Sequence, residues 1–183
     1  LIINCAAYTN VNGAEIEKKI ANKVNNLGVE NLSLICKNFN CKIIHISTDY
    51  VFDGLKNQPY KETDFTNPIN YYGFSKLEGE KKILKYNINA LIIRTSWLYS
   101  SNKNNFFSNI IKRAESMDKI NVVNDQIGSP TSAHELAKIC MYLSTTNFNW
   151  GDGPKIYNFS NEGMCSWYEF AKAIILLKKI PCN

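Results

Sequence analysis

The chain has 183 residues, of which 45% are hydrophobic, 12% aromatic and 20% charged, and its formal net charge is +5. This length suits one domain, or one domain with a small lobe, and the composition is that of a globular protein rather than a disordered one. No apolar run approaches the roughly 20 residues that a membrane helix needs, and no secretory signal is visible. The basic residues are mostly lysines scattered along the chain, which argues against a nucleic-acid surface.

The cysteines and histidines indicate whether the chain has a metal site or disulfide bonds. The six cysteines form no Cys-x-x-Cys pair, and the two histidines, His45 and His134, are far apart in the sequence. We therefore expect no metal site, and we expect reduced, mostly buried thiols, as in a cytoplasmic protein. His45 alternates with isoleucines and is expected to be structural.

The first half of the chain alternates apolar runs with amphipathic stretches, a pattern typical of α/β proteins. Apolar residues at helical spacing mark the predicted helices, and the run at the start of the chain predicts the end of a buried strand. In chain order we expect a strand over residues 1–5, a long helix over 14–38, a strand over 42–47, a loop over 48–67, a helix over 70–86 and a strand over 90–94.

The second half continues in shorter elements, with capping boxes at Ser132/Glu135 and Ser166/Glu169. We expect a polar loop over residues 100–104, a helix over 105–116, a strand over 120–124, a helix from 132 to about 144, a turn over 151–154, a strand over 155–159 and a final helix. Strands joined through helices indicate parallel pairing, and ligands bind beyond the carboxyl ends of such strands. We therefore expect the functional residues to be among those that directly follow the strands.

The strongest chemical signal is the pair Tyr72 and Lys76. On a helix this spacing places both side chains on one face, where an ammonium lowers the pKa of a phenol and so helps it to pass a proton to or from a substrate oxygen. Only this pair begins a helix that follows a strand ending near a hydroxyl, that of Thr48. Ten tyrosines and 19 lysines predict about one such spacing by chance, and the chain has three: Tyr72/Lys76, Tyr99/Lys103 and Tyr168/Lys172.

Five segments carry a resemblance to a known family: residues 5–9 (CAAYT), 47–54 (STDYVFDG), 67–76 (NPINYYGFSK), 94–97 (RTSW) and 124–131 (NDQIGSPT). In this order they resemble the dTDP-4-dehydrorhamnose reductase family of the extended short-chain dehydrogenase/reductase superfamily, over nearly the whole chain. The resemblance implies an α/β fold, with a Rossmann-like doubly wound parallel sheet, a small C-terminal substrate lobe and the first βαβ segment absent. It implies a partial dinucleotide-binding domain over 1–124 and a partial substrate-binding lobe over 125–183, interleaved with it.

The resemblance also implies an activity and site residues. The family reduces the C4 ketone of dTDP-4-dehydro-L-rhamnose to dTDP-L-rhamnose with NADPH or NADH, for polysaccharide biosynthesis in the cytoplasm, and a homodimer is compatible with it. By similarity, Tyr72 donates the proton, Lys76 holds the nicotinamide ribose and lowers the pKa of Tyr72, and Thr48 hydrogen-bonds the carbonyl. The further residues implied are Asp49, Trp97 and Asn105 for the sugar nucleotide, and Ala6, Ala7, Tyr8 and Thr9 for the cofactor.

The chain departs from the family pattern at its start. None of the nine glycines belongs to a loop that would cradle a pyrophosphate. From the size of βαβ units, we expect roughly 50 to 60 further residues before Leu1. Tyr8 stands where the family often has His. Three alternatives stay open: another nucleotide-sugar epimerase or reductase, a non-catalytic regulatory subunit of the same fold, and an inactive fragment. The intact Thr48, Tyr72 and Lys76 disfavour the regulatory subunit.

Overall fold

A computed structural model describes residues 1–101, 105–145 and 148–182. Lys103 and the predicted loop positions 102–104 lie outside the described residues. The strands are β1 (Ile2–Asn4), β2 (Ile43–Thr48), β3 (Ala90–Thr95), β4 (Leu98–Tyr99), β5 (Ile127–Gly128), β6 (Thr131–Ser132), β7 (Lys155–Phe159) and β8 (Cys165–Ser166). The α-helices are α1 (Val11–Ile16), α2 (Lys18–Asn22), α3 (Gly28–Phe39), α4 (Tyr71–Tyr86), α5 (Phe106–Ser116), α6 (Ala133–Thr145) and α7 (Trp167–Lys178).

The chain forms two compact units, each built from two separate stretches. The first unit contains Leu1–Thr95 and Tyr142–Phe159, and the second contains Ser96–Met141 and Ser160–Asn183. The predicted boundary at residue 124 falls inside the second unit. The functional roles predicted for the two domains remain predictions.

The first unit is organised by a four-stranded parallel sheet in the order β1-β2-β3-β7. This confirms the predicted α/β class with parallel strands. β2 and β3 are almost wholly buried, as expected for strands covered on both faces. β1 pairs with β2 alone within the described residues, and the side chain of Ile3 is 36% exposed. The strand expected over residues 1–5 is therefore present over Ile2–Asn4, but of its three residues only Asn4 is buried.

The long helix predicted over 14–38 is helical but broken. It begins earlier, at the N-cap Asn10, and is interrupted at Glu17, whose φ and ψ of −97° and 43° are not helical. A π-helical turn over Lys23–Leu27 then precedes α3. The amide of the buried Asn25 stabilises this turn, because it accepts from the Tyr8 N–H at 2.8 Å and donates to the Ser75 hydroxyl at 3.0 Å.

The core of the first unit lies between α3, α4 and one face of the sheet. Val29 and Cys36 of α3 pack with Ile83 of α4 against Ile43 and Ile92 of the sheet. The helix predicted over 70–86 is confirmed, and its N-cap is Asn70, which accepts from the Gly73 N–H at 2.8 Å. The local cap and the apolar face together fix where α4 begins, and thereby where Tyr72 lies.

Gly79 allows α4 to approach the π-helical turn closely. A Cβ at residue 79 would overlap the carbonyl oxygen of Asn25 and lie 3.3 Å from Val29 Cγ2. Since a backbone carbonyl cannot swing aside, we expect Gly79→Ala to lower the free energy of unfolding by about 1–3 kcal/mol, measured by urea denaturation. Gly28→Ala on α3 is the matched control, because a Cβ there meets only Lys23 O, at 3.4 Å. It should be neutral or stabilise by up to about 1 kcal/mol, and equal losses in both variants would contradict the packing argument.

The second unit packs α5 against α7. Ile110 of α5 and Ala171 and Ile174 of α7 form its buried cluster. The predicted helices are confirmed, α5 with a capping box at Asn105 and α7 with the predicted box at Ser166 and Glu169. Among the described residues, no helix of either unit is both long and apolar enough to cross a membrane.

Two predictions in the second unit are wrong. Residues 120–124 form no strand: Val122 packs on the α5–α7 cluster, and the carbonyl of Val123 accepts from the Tyr168 N–H at 3.1 Å. The apolar run thus serves packing against helices rather than a sheet. The capping box predicted at Ser132 also does not form, because the Ser132 N–H donates to Asn161 Oδ1 at 2.9 Å and Glu135 pairs with Lys138. The helix itself, α6, is present.

Candidate active site

Thr48, Asp49 and Tyr72 lie together where β2 ends and α4 begins. The Thr48 hydroxyl donates to Asp49 Oδ1 at 3.1 Å and accepts from the Tyr50 N–H at 3.2 Å, which starts a 3₁₀ turn over Asp49–Val51. The phenol of Tyr72 lies close enough to the Thr48 side chain for its pKa to be affected by it. The ring of Tyr72 stands edge-to-face against Tyr50, with 5.5 Å between centroids. The predicted catalytic hydroxyl and the predicted acid are therefore neighbours.

A glycine makes this approach possible. A Cβ at Gly73 would overlap the carbonyl oxygen of Tyr50, so that a larger residue would push the first turn of α4 away from the 3₁₀ turn. Because Tyr72 and Gly73 are adjacent, the same contact sets the distance of the phenol from Thr48.

The pKa of Tyr72 departs from the expectation. Burial raises it to about 12, the neighbouring Thr48 side chain opposes that rise, and the negative charge of Asp49 adds to it. The prediction that Lys76 lowers the pKa of Tyr72 is therefore wrong for this structure. The physical reason is that burial of the phenol outweighs the stabilisation of its anion. Tyr72 thus holds its proton at neutral pH, as a proton donor must.

The ammonium of Lys76 points toward β2. Lys76 is 1% exposed, its Nζ donates to the Ile46 carbonyl at 2.6 Å, and Nζ lies 3.4 Å from His45 Nε2. Burial lowers the pKa of Lys76 to about 8, although the charges of Glu80 and Cys5 favour the ammonium. A lysine with this pKa is partly neutral near physiological pH.

Burial raises the pKa of Asp49 to about 6, against the hydrogen bonds from Thr48 and the backbone. A carboxyl whose pKa is raised by folding contributes stability that is present below its unfolded pKa of about 4 and is lost as the pH rises through about 6. We expect Asp49→Asn to avoid this loss. The variant should gain stability relative to wild type between pH 4 and pH 7, by at most about 3 kcal/mol, in urea denaturation at several pH values.

Asp53→Asn serves as a control of opposite sign. A hydrogen bond from Tyr60 lowers the pKa of Asp53, so this variant should lose stability relative to wild type as the pH rises from 3 to 5. A pH-independent difference between Asp49→Asn and wild type would contradict the burial of the Asp49 charge.

The residues predicted to bind the cofactor follow β1. Ala6 and Thr9 are exposed, whereas Ala7 and Tyr8 are half-buried. The Ala6 N–H donates to Asn4 Oδ1 at 3.2 Å, and the backbone of Tyr8 is bonded in both directions to the amide of Asn25. The Tyr8 hydroxyl donates to Glu17, which raises the pKa of Tyr8. These residues form a fixed backbone segment at the carboxyl end of β1.

Trp97 and Asn105, the predicted substrate residues, belong to the second unit. Trp97 has a positive φ of 45° and stacks on Trp167 with 3.5 Å between centroids and an interplanar angle of 8°. Gly128 leaves room for its indole, because a Cβ there would overlap the ring. Asn105 caps α5, and its Nδ2 donates to the Ser100 carbonyl at 2.8 Å. Their predicted role in substrate binding remains a prediction.

Sequence reasoning missed two buried groups beside Tyr72 and Lys76. Asn25 joins the Tyr8 backbone to Ser75 on α4. The π-helical turn that marks Asn25 as unusual is visible only in the structure. Glu80 and Arg94 form a bidentate ion pair with distances of 2.7–3.2 Å, and Ser47 donates to Glu80 at 2.5 Å. Both charged side chains are almost fully buried, 0% and 4% exposed. In the described ranges no group of three acidic, His or Cys side chains could hold a metal ion.

Comparisons with known proteins place this geometry in context. Residues 1–181 match the family described as the RmlD substrate binding domain. The chain is 43% identical to a dTDP-4-dehydrorhamnose reductase of Aggregatibacter actinomycetemcomitans, over 95% of this chain and 60% of that protein. It is 41% identical to the spore coat polysaccharide biosynthesis protein SpsK of Bacillus subtilis, over 96% of this chain and 60% of that protein.

A solved structure gives the same result for the fold. A dTDP-4-dehydrorhamnose reductase from Bacillus anthracis, in complex with NADP, superposes with a TM-score of 0.92 at 40% identity, covering 100% of this chain and 64% of that one. The chain thus spans about 60% of the length of the curated relatives that it matches. The likeness confirms the Rossmann-like α/β class.

Proposed function

Since the chain belongs to the RmlD substrate binding domain family, we propose that it is part of a reductase that converts the C4 ketone of dTDP-4-dehydro-L-rhamnose to dTDP-L-rhamnose. The observation that carries the proposal is that the Thr48 hydroxyl and the phenol of Tyr72 are neighbours where a parallel strand ends. Ligands of such sheets bind at this edge. Homodimerisation and a cytoplasmic location stay predictions.

The residues present fit a nicotinamide cofactor, NADPH or NADH. The phenol of Tyr72 and the Nζ of Lys76 are the hydrogen-bonding groups that a ribose diol needs, and the backbone of residues 6–9 follows β1 at the same edge of the sheet. Ala6, Ala7, Tyr8 and Thr9 would hold the cofactor together with Tyr72 and Lys76. When bound, the cofactor supplies the hydride that reduces the ketone.

This chain supplies the proton and the orientation of the substrate. Tyr72, whose pKa lies near 12, is protonated at neutral pH and donates its proton to the C4 oxygen. The Thr48 hydroxyl neighbours the same phenol and would orient the carbonyl that receives the proton. Asp49 lies beside Thr48 and would bind the sugar. Trp97 and Asn105 stay predicted substrate-binding residues.

The test is oxidation of NADPH and NADH in the presence of dTDP-4-dehydro-L-rhamnose, with the full-length gene product beside this 183-residue chain. Turnover that depends on the sugar nucleotide supports the proposal. No turnover by well-folded full-length protein would overturn this substrate and favour another nucleotide sugar or a regulatory subunit.

A further inference from the structure

A line of buried polar groups runs from the backbone after β1 to Lys76. The Ala6 N–H donates to Asn4 Oδ1 at 3.2 Å, Asn4 Nδ2 lies 2.9 Å from His45 Nδ1, and His45 Nε2 lies 3.4 Å from Lys76 Nζ. Asn4 and His45 are register partners in β1 and β2, 6% and 0% exposed. Neither residue has a role in the proposed proton transfer.

The backbone fixes the orientation of this line. A backbone N–H can only donate, so the atom of Asn4 that faces Ala6 is its oxygen, and the atom that faces His45 is its NH₂. An NH₂ group donates, so His45 Nδ1 must accept and carries no hydrogen. Burial, together with the charge of Lys76, holds the pKa of His45 well below its ordinary value, so the ring is neutral. Its single hydrogen is therefore on Nε2, facing Lys76.

We infer that Asn4 and His45 are positioning residues for Lys76. Asn4 holds His45 in the tautomer whose Nε2–H faces the lysine Nζ, and this tautomer favours the neutral amine of Lys76. An ammonium is only a hydrogen-bond donor and cannot accept from Nε2–H, whereas a neutral amine has a lone pair that accepts this hydrogen bond. The inference rests on the proposed function, in which Lys76 is a site residue.

Other groups that face Lys76 act in the opposite direction. Glu80 on α4 and Cys5 after β1 favour the ammonium, and Glu80 is itself paired with Arg94 on β3. The Ile46 carbonyl accepts a hydrogen bond from either form of the amine. Within the described residues around Lys76, the imidazole is thus the polar side chain whose orientation favours the neutral form.

The experiment reads the tautomer directly by ¹⁵N NMR of the histidine rings, at pH 6 to 9. The chain has two histidines, and His134→Gln assigns the signals because His134 is exposed. We expect His45 to show a bare Nδ1 and a protonated Nε2, unchanged across this range. A protonated Nδ1 in the wild type, or titration of the ring near pH 6.5, would overturn the inference without any variant.

Asn4→Ala then tests the coupling to Lys76 without adding a charge. Once the amide is lost, His45 is free to carry its hydrogen on Nδ1 and to accept from the ammonium through Nε2. We expect the Nδ1–H tautomer to appear and the pKa of Lys76, followed by ¹⁵N-lysine NMR and assigned with Lys76→Met, to rise by about one unit. Asn4→Asp should shift both in the same direction, and more strongly.

An unchanged Lys76 titration in both Asn4 variants would overturn the inference. None of these readouts needs turnover. Full-length protein without reductase activity, but with the expected tautomer and titrations, would contradict the proposed function alone. Active protein with the other tautomer would contradict this inference alone.

Discussion

Tyr72→Phe should lower kcat for reduction of the sugar nucleotide by about 10²–10⁴-fold in the full-length protein, because the variant removes only the hydroxyl that donates the proton. The ring and its edge-to-face contact with Tyr50 remain, so the fold should persist, and cofactor binding should weaken only by the hydrogen bond that the phenol would make to the ribose. Since burial raises the pKa of Tyr72 to about 12, wild-type activity should show no loss from ionisation of this phenol at neutral pH. Steady-state rates and cofactor titration by fluorescence measure these effects.

Tyr71→Phe is the matched control. Tyr71 precedes Tyr72 on α4, and its ring packs against Phe74 and under the Lys18 ammonium rather than beside Thr48. Its turnover should stay close to that of wild type. Comparable losses in the two variants would indicate a folding defect, and near wild-type turnover in Tyr72→Phe would remove Tyr72 from the role of proton donor.

Glu80→Gln should destabilise the protein by about 3 kcal/mol or more, because it leaves the guanidinium of Arg94 buried without a counter-charge. The pair is bidentate and inaccessible to solvent, and Arg94 also lies over the ring of Phe52 at 5.1 Å. The free energy of unfolding from urea denaturation at pH 7 gives the comparison.

The same helix carries an exposed pair for comparison. Glu78 accepts from Lys81 at 2.7 Å with both side chains partly in water, so Glu78→Gln should cost no more than about 1 kcal/mol. If the two glutamine variants unfold at the same urea concentration, the buried pair does not contribute as its geometry indicates.

Local signals made much of the first unit predictable. Strand β2 contains three isoleucines within four residues, and α4 follows an asparagine cap, so both could be located from neighbouring residues alone. The π-helical turn at 23–27 could not, because it depends on bonds from Asn25 to Tyr8 and Ser75, which are 17 and 50 residues away. The apolar run at 120–124 was ambiguous for a similar reason: its partners are helices, which a strand pattern does not reveal.

The sequence was enough to predict which residues of the site lie together, but not what controls their pKa values. The rule for carboxyl ends of strands brings Thr48 near Tyr72, as the structure shows. Whether Lys76 or burial governs the pKa of Tyr72 depends on the direction of the lysine side chain, and the spacing of two residues on a helix does not give that direction. His45 was expected to be structural, and its contact with Lys76 arises where α4 packs against β2.

The sheet order bears on how the protein folds during synthesis. Strand β3 is fully buried in the finished sheet, yet one of its two neighbours, β7, begins about 60 residues after β3 ends. A ribosome adding roughly 5–20 residues per second needs about 3–12 s to make that stretch. In that interval one edge of an isoleucine-rich strand has no native partner and can pair with other nascent chains. The order of synthesis thus leaves this edge of β3 open to non-native pairing until β7 has been made.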